Sequence, residues 1–172
     1  PYPNRQRNSL AGAEATSVSF PSTVLIIEDS RTFSKVMEHV IGQLGTTVTL
    51  AHDGAEALEA AKTPHELILL DLILPDIDGF ELLPKLRQLD PLAAVVVVTG
   101  SGGARKATQA FLLGADGYVD KQYIRPEGDL SEFHAAIELA LENRRGKLAQ
   151  AELEPLKQDF YSMVTHDLRS PA

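Results

Sequence analysis

The sequence predicts an α/β fold in which a five-stranded parallel sheet carries helices on both faces. Segments typical of strands and of helices alternate five times along the chain, and this alternation specifies a parallel sheet. Three strand segments, T-V-L-I-I, L-I-L-L and A-A-V-V-V-V, are apolar throughout, as in strands buried on both faces. Polar side chains directly follow most of the strands. Because parallel strands end at one edge of the sheet, these side chains are expected to converge there.

The first strand and helix are predicted from a β-branched run and a helical spacing. The run at 23–27 is followed by apolar residues that recur every three or four positions, and either Asp29 or Ser30 caps this helix. Gly45 ends the helix, and residues 46–50 alternate in polarity as a second strand does.

The third predicted strand ends in the carboxylate of Asp71. An Ala-rich helix opens at Asp53, and the apolar run at 67–70 then ends in Asp71. Pro75 and Gly79 break the chain and allow the third helix to begin. An Asp at the end of a buried parallel strand lies at the edge where open α/β sheets bind ligands.

The last two strands follow the same pattern. Residues 93–98 are apolar and end in Thr99, and a Gly-rich turn precedes a helix that Gly114 closes. A short strand at 116–119 leads to Lys121, and a further helical pattern starts after Asp129.

Composition excludes several classes of function. The chain of 172 residues has no cysteine, which excludes disulfides, thiolate metal sites and thiol nucleophiles. The formal charge of −8 argues against non-specific binding to nucleic acid or to an anionic membrane. No apolar run approaches the length of a membrane span, and no signal-peptide pattern is present. We therefore expect a cytoplasmic protein, and we expect the chain to be a fragment of a longer one.

The converging strand ends predict a cation site. Glu28, Asp29 and Asp71 repel one another, so a positive charge has to neutralise them. Lys121 supplies one such charge, and a hard divalent cation such as Mg²⁺ supplies the rest. The backbone carbonyl of Ile73 is the natural further ligand.

The same residues predict phosphoryl chemistry. Carboxylates such as Asp71 act as nucleophiles toward phosphorus in several enzymes. A bound metal and Lys121 offset charge on a phosphoryl group in transit, while the hydroxyl of Thr99 binds one of its oxygens.

These motifs together resemble the receiver domain of two-component response regulators. They are Glu28-Asp29, D-L-I-L-P-D-I-D-G at Asp71, T-G at Thr99, and Y-V-D-K ending at Lys121. The resemblance covers about residues 23–144. It implies a flavodoxin-like doubly wound sheet in the order 2-1-3-4-5, and a role in a phosphorelay.

The resemblance also implies a role for each matching position. Asp71 is the phosphoacceptor, Asp29 and Asp71 bind Mg²⁺ directly, Glu28 binds it through water, and the Ile73 carbonyl completes the protein's share.

Thr99 and Tyr118 match the positions that move on phosphorylation, and Lys121 matches the contact to the phosphoryl group. Gln122 stands where the family often has a cis proline. A cis bond to a non-proline residue costs ~2.5–4 kcal/mol, which favours a trans bond here.

The helical pattern continues beyond the end of a receiver. Gly146 and Pro155 are expected to interrupt or bend this helix. Apolar positions then step by three and four residues, as in the seam of a two-helix or four-helix packing: Leu153, Leu156, Phe160 and Met163.

The stretch F-Y-S-M-V-T-H-D-L-R-S-P-A at 160–172 resembles the phosphoacceptor box of sensor histidine kinases. It implies that His166 is autophosphorylated and that Asp167 is its acid–base partner. The rest of a kinase, including its ATP-binding domain, is expected only outside this chain. The Gly-rich segment before Lys106 departs from a phosphate-binding loop because Arg105 precedes the Lys.

These expectations divide the chain into a flexible lead-in at 1–22, a receiver domain at 23–144, and a helical linker with the start of a kinase dimerisation domain at 145–172. The expected protein is a hybrid histidine kinase whose receiver takes phosphate from the phosphohistidine of a kinase or phosphotransfer protein. Phosphorylation regulates the attached kinase through the C-terminal helix, through which the chain is expected to form a homodimer.

Two alternatives remain open. The receiver can act mainly as a dimerisation and interaction scaffold. A hydrolase of the haloacid dehalogenase type also uses an Asp nucleophile, but it needs an acid two residues later, where this chain has Ile73.

Overall fold

The computed structural model describes residues 20–43, 45–100 and 102–169, although not the side chains of 167–169. Most of the predicted lead-in therefore lies outside the described residues, as do the side chain of Asp167 and the last three residues of the kinase-like box.

The five predicted strands are all present. They are β1 (Thr23–Ile27), β2 (Thr47–Ala51), β3 (Leu67–Leu70), β4 (Ala94–Thr99) and β5 (Gly117–Asp120). All neighbours are parallel and the order is β2-β1-β3-β4-β5, which confirms the predicted doubly wound, flavodoxin-like topology. The predictions for β2, β4 and β5 began and ended one residue early, because the next residue in each case still pairs with the neighbouring strand: Ala51, Thr99 and Asp120.

In the described residues, five α-helices alternate with the strands. They are α1 (Arg31–Gly42), α2 (Gly54–Ala60), α3 (Gly79–Leu89), α4 (Ala104–Leu112) and α5 (Ser131–Arg169), and a 3-10 turn lies at Lys121–Tyr123. Ser30 rather than Asp29 caps α1, since its hydroxyl accepts a hydrogen bond from the N–H of Phe33 at 3.2 Å.

The apolar sheet separates two layers of core. One layer packs α1 and the start of α5 against alternate residues of the strands, with Phe133 fully buried at its centre. The other layer packs α2, α3 and Ala110 of α4 against the opposite face. Alternation of side chains along each strand explains why Ile26 and Ile27 belong to different layers. Both faces of the central strands are therefore buried, as their continuous apolar sequence predicts.

The C-terminal extension is one helix. Gly146 and Pro155 both lie inside α5, so neither interrupts the helix, whereas a bend at either residue stays a prediction. Proline removes a single backbone donor, and the hydrogen bonds on either side of Pro155 keep the helix continuous. Among the side chains of α5 that the structure describes, Leu141 is the last buried one, and residues 149–166 are exposed. At 1.5 Å per residue, the helix extends about 30 Å beyond the receiver contacts. In the described part of the chain, no helix has the length and apolar character of a membrane span.

Candidate functional site

Four polar residues meet at the carboxyl edge of the sheet, as predicted. Glu28 follows β1, Asp71 follows β3, Thr99 ends β4 and Lys121 follows β5, which are adjacent strands. The Lys121 ammonium lies 2.7 Å from Glu28 Oε2 and 2.9 Å from Asp71 Oδ2. The parallel topology alone brings these side chains together, since Asp71 and Lys121 are fifty residues apart in sequence.

Three carboxylates form the acidic cluster, which comprises Glu28, Asp29 and Asp71. Each offers an oxygen within 4.8 Å of the others. Glu28 and Asp71 are buried, whereas Asp29 is exposed. Because Ser30 provides the helix cap, the Asp29 carboxylate remains available to the cluster. Several carboxylate oxygens, partly open to water, fit the coordination that Mg²⁺ prefers.

The environment of the acidic cluster shifts two pKa values. Burial, reinforced by the nearby charge of Asp71, raises the pKa of Glu28 to about 7, although the Lys121 ammonium and the N–H of Ser30 oppose the increase. Burial alone would lower the pKa of Lys121, but its hydrogen bonds to Glu28 and Asp71 raise it. Lys121 is therefore charged at neutral pH. Glu28 is partly protonated there, and a bound cation would displace this proton.

The loop after Asp71 folds back on itself. The N–H of Ile73 donates to Asp71 Oδ1 at 3.3 Å, and the N–H of Gly79 donates to the Leu72 carbonyl at 2.9 Å. A Cβ on Gly79 would lie 2.5 Å from the Leu72 Cα, so this approach requires glycine. The Ile73 backbone is thereby held beside the acidic cluster, but its role as a metal ligand remains a prediction.

A second carboxylate fixes the far end of the same loop. Asp76 accepts hydrogen bonds from the N–H groups of Gly54 and Ala55 at 2.8 and 3.0 Å, at the start of α2. These bonds, that from Gly54 foremost, lower the pKa of Asp76. Asp76 thus ties the β3–α3 loop to its neighbour instead of joining the acidic cluster.

The two predicted switch residues lie on β4 and β5, the two strands that follow β3 in the sheet order. Thr99 is fully buried, and its hydroxyl has no hydrogen-bond partner within the described ranges. The Tyr118 hydroxyl packs against Gly102, where an added Cβ would lie only 2.3 Å from it. Burial raises the pKa of Tyr118. A buried hydroxyl without a partner is costly, which is consistent with Thr99 gaining a partner in another state.

The predicted kinase phosphoacceptor lies elsewhere. His166 is exposed on the extension of α5, outside the acidic cluster, and the side chain of Asp167 is not among those described. The bond between Lys121 and Gln122 is trans, as favoured.

Two features of the structure were not predicted from the sequence. The Phe33 ring lies beneath the Lys121 ammonium, with 4.8 Å between Nζ and the ring centroid. Sequence spacing assigned Phe33 to the core face of α1, and only its position one turn after Asp29 hinted at the site. The second is a buried ion pair between Arg87 and Asp116, at the opposite edge of the sheet. An Asp directly before the last apolar strand was its only sequence signal.

Comparisons with known proteins identify the family of the chain. The model of the response regulator receiver domain matches residues 24–133. Among curated proteins, the chain is 31% identical over 145 residues to the uncharacterized transcriptional regulatory protein YkoG of Bacillus subtilis, covering 84% of this chain and 58% of that protein. It is 32% identical over 120 residues to the DNA-binding transcriptional regulator NtrC of Escherichia coli, covering 69% of this chain and 24% of that protein. The chain thus spans between about a quarter and three fifths of these two relatives.

Solved structures share the fold. A response regulator protein from Burkholderia pseudomallei, solved with a phosphorylated aspartic acid, a calcium ion and citrate, has a TM-score of 0.61 and 26% identity, with 87% of each chain covered. A CheY-like receiver domain from Methanospirillum hungatei has a TM-score of 0.63 and 24% identity, covering 73% of this chain and 98% of that one.

A flavodoxin-like sheet that presents an acidic cluster and a lysine at its carboxyl edge defines a signalling domain of two-component systems. The chain belongs to the response regulator receiver domain family. Receiver domains bind Mg²⁺ at an acidic pocket, and the cluster of Glu28, Asp29 and Asp71 fits that ion.

The raised pKa of Glu28 predicts that Mg²⁺ binding depends on pH. A proton on Glu28 competes with the cation, so the apparent affinity should rise by up to about tenfold per unit from about pH 6 to pH 7 and level off above about pH 8. Titration calorimetry at several pH values measures this. Glu28→Gln should bind more weakly with a flat profile over that range. A wild-type profile that is equally flat would show that Glu28 is already ionised.

Proposed function

We propose that this chain is the phosphoacceptor receiver of a hybrid sensor histidine kinase, in which phosphorylation of Asp71 regulates the attached kinase. Its donor is the phosphohistidine of a histidine kinase or phosphotransfer protein. The observation that carries the proposal is the convergence of Asp71 and Lys121 at 2.9 Å inside an acidic cluster that fits Mg²⁺. The net charge of −8 supports a protein rather than nucleic acid as the partner of this segment.

Each of the residues at the sheet edge would have its own role in the phosphoryl transfer. A carboxylate oxygen of Asp71 forms the new bond to phosphorus while the phosphorus–nitrogen bond of the donor breaks. The electron pair stays on the donor imidazole, which then takes a proton from water. Lys121 offsets charge on the phosphoryl oxygens, and the buried Thr99 hydroxyl turns toward one of them. Mg²⁺, when bound by the acidic cluster and the Ile73 carbonyl, would neutralise further charge.

Acetyl phosphate and beryllofluoride test the acceptor role directly. With Mg²⁺, acetyl phosphate is expected to add one phosphoryl group, measured by intact mass, and beryllofluoride to perturb amide signals around Asp71 and Thr99. No modification and no perturbation would favour the alternative, a receiver used mainly as a dimerisation scaffold.

The extension of α5 supports a homodimer. Leu153, Leu156, Phe160 and Met163 are between 52% and 63% exposed. At 100° per residue, Leu153 and Phe160 lie about 160° and about 140° around the helix from the buried Ile137, and Leu156 and Met163 lie about 100° and about 80° from it. This apolar seam, formed by the four residues, is therefore centred about 120° around the helix from Ile137. It lies on the exposed part of α5, so two chains can pair along it.

The charges beside the seam favour one orientation. With Leu153 and Leu156 at core positions, Glu152 and Lys157 occupy the flanking positions that face each other across a parallel, in-register pair. Five residues separate Glu152 from Lys157, which places them about 140° apart on their own helix. They can therefore pair only between chains.

Charge reversal predicts a weakened dimer and its rescue. Glu152→Lys or Lys157→Glu alone places like charges opposite each other in both symmetric pairs and should raise the dimer Kd about tenfold, or ~1.4 kcal/mol. The double variant restores opposite charges and should return the Kd to that of the wild type. Analytical ultracentrifugation measures all four proteins.

A single cysteine variant tests the relative orientation of the two helices. Because the chain has no cysteine, Leu156→Cys is expected to form an interchain disulfide only if equivalent residues meet, as in a parallel pair. A dimer without this cross-link and without rescue would indicate another orientation, and a monomeric chain would remove the dimer proposal.

The kinase part of the proposal has its own test. His166 and Asp167 would be the autophosphorylated residue and its acid–base partner, on the helix that continues from the receiver. In the full-length protein, Asp71→Asn is expected to change kinase activity under a phosphodonor. Unchanged activity would overturn the coupling, and a DNA-binding domain downstream would instead place the chain with regulators such as NtrC.

A further inference from the structure

The Lys121 ammonium has a third partner besides its two carboxylates. Glu28 and Asp71 contact it at 2.7 and 2.9 Å, and the ring of Phe33 lies 4.8 Å from it, measured to the ring centroid. Phe33 is the third residue of α1 and is half-buried, with one part of its ring against the core layer of Met37 and Val40.

The aromatic contact differs in kind from the ion pairs. A ring face attracts a cation through its quadrupole and carries no net charge. The attraction therefore does not depend on protonation of a carboxylate, and the ring does not bind a metal. In the proposed metal-bound state, Glu28 and Asp71 bind Mg²⁺. Of the three partners of Lys121, Phe33 is therefore the one that can hold the ammonium without also binding the metal.

We propose that Phe33 is a positioning residue for the phosphoacceptor site, which holds the Lys121 ammonium beside Asp71 through its ring face. The inference rests on the proposed function of Lys121 as the contact to the phosphoryl group. It makes the first turn of α1 part of the reaction site, in addition to the loop carboxylates that precede it.

Two replacements separate the ring face from simple packing. Phe33→Leu keeps an apolar side chain but removes the π system, whereas Phe33→Tyr keeps the ring face and adds a hydroxyl to a side chain that is only half-buried. In the presence of Mg²⁺, Phe33→Leu should lower beryllofluoride affinity about two- to fivefold, while Phe33→Tyr should stay within about twofold of the wild type. Magnesium affinity itself should change little in either variant.

A double-mutant cycle shows whether the effect passes through the lysine. In a Lys121→Met background, Phe33→Leu should cause no further loss of beryllofluoride affinity. Equal losses with and without Lys121, or equal losses from Leu and Tyr, would show a packing role and overturn the proposal.

A spectroscopic measurement on the protein alone gives an independent readout. The ring current of Phe33 should shift the ε-methylene protons of Lys121 upfield, and Phe33→Leu should remove this shift while Phe33→Tyr preserves it. Unshifted protons in the wild type would disprove the contact. If the shift is present but wild-type protein binds no beryllofluoride, the phosphoacceptor function fails while the aromatic contact stands.

Discussion

Asp71→Asn is expected to abolish phosphorylation of the chain by acetyl phosphate or by a phosphohistidine donor. The amide keeps the shape of the side chain but is a far weaker nucleophile than the carboxylate. It also removes one of the three charges of the acidic cluster, which weakens the hold on Mg²⁺. Lys121 keeps its 2.7 Å ion pair to Glu28, so the local fold should survive. Intact-mass spectrometry after incubation with donor and Mg²⁺ measures the result.

Asp78→Asn is the matched control. Asp78 lies on the same loop, but its carboxylate caps α3 by accepting from the N–H of Phe80 at 2.8 Å. Asn caps helices as well as Asp does, so this variant should be phosphorylated like the wild type. If Asp71→Asn still took up one phosphoryl group, the acceptor would be another carboxylate, with the exposed Asp29 as the first candidate.

Asp116→Ala is expected to be the most destabilising single replacement at the opposite edge of the sheet. The buried carboxylate pairs with the Arg87 guanidinium and accepts from the N–H of Val95 at 2.9 Å. It also lies 3.4 and 3.5 Å from the polar ends of Lys147 and Asn143 on α5. Its removal leaves Arg87 as an uncompensated, largely buried charge, which costs about 3–5 kcal/mol. Urea unfolding measures this loss.

Glu59→Ala provides the comparison for an exposed ion pair. Glu59 pairs with Lys62 at 2.6 Å, but both side chains are more than half exposed, so the free energy of unfolding should change by no more than about 0.5 kcal/mol. A loss below about 1 kcal/mol for Asp116→Ala would mean that water replaces its partners. Since Asn143 and Lys147 belong to α5, Asp116→Ala should also loosen the base of the extension, seen as faster amide exchange there.

Sequence patterns predicted most of the acidic cluster because topology leaves little choice. Once apolar runs define parallel strands in a doubly wound order, Glu28, Asp71 and Thr99 have to stand at one edge. The contacts of Arg87 were beyond such reasoning. Its guanidinium reaches Asp116, 29 residues away, from a helix whose sequence pattern gave no indication of a buried charge. Likewise, helical spacing placed Phe33 on an apolar face but could not show its ring under Lys121.

The C-terminal extension shows the reverse case, in which a local sequence rule predicted an interruption that the structure does not have. Local rules predicted an interruption or a bend at Gly146 and Pro155, because both residues are poor helix formers. The helix is continuous, since one missing backbone donor is a smaller loss than ending and restarting a helix.

The sequence by itself determined the α/β class, the strand order expected from the receiver motifs, and the identity of the residues at the sheet edge. Periodicity and strand-end position encode the class and the residues at the edge, whereas the strand order is what the resemblance implies. Only the tertiary structure decided that Ser30 caps α1, that Lys121 lies between two carboxylates and an aromatic ring, and that Asp116 joins β5 to α3 and α5. Those contacts depend on side-chain directions between elements distant in sequence, which no local pattern records.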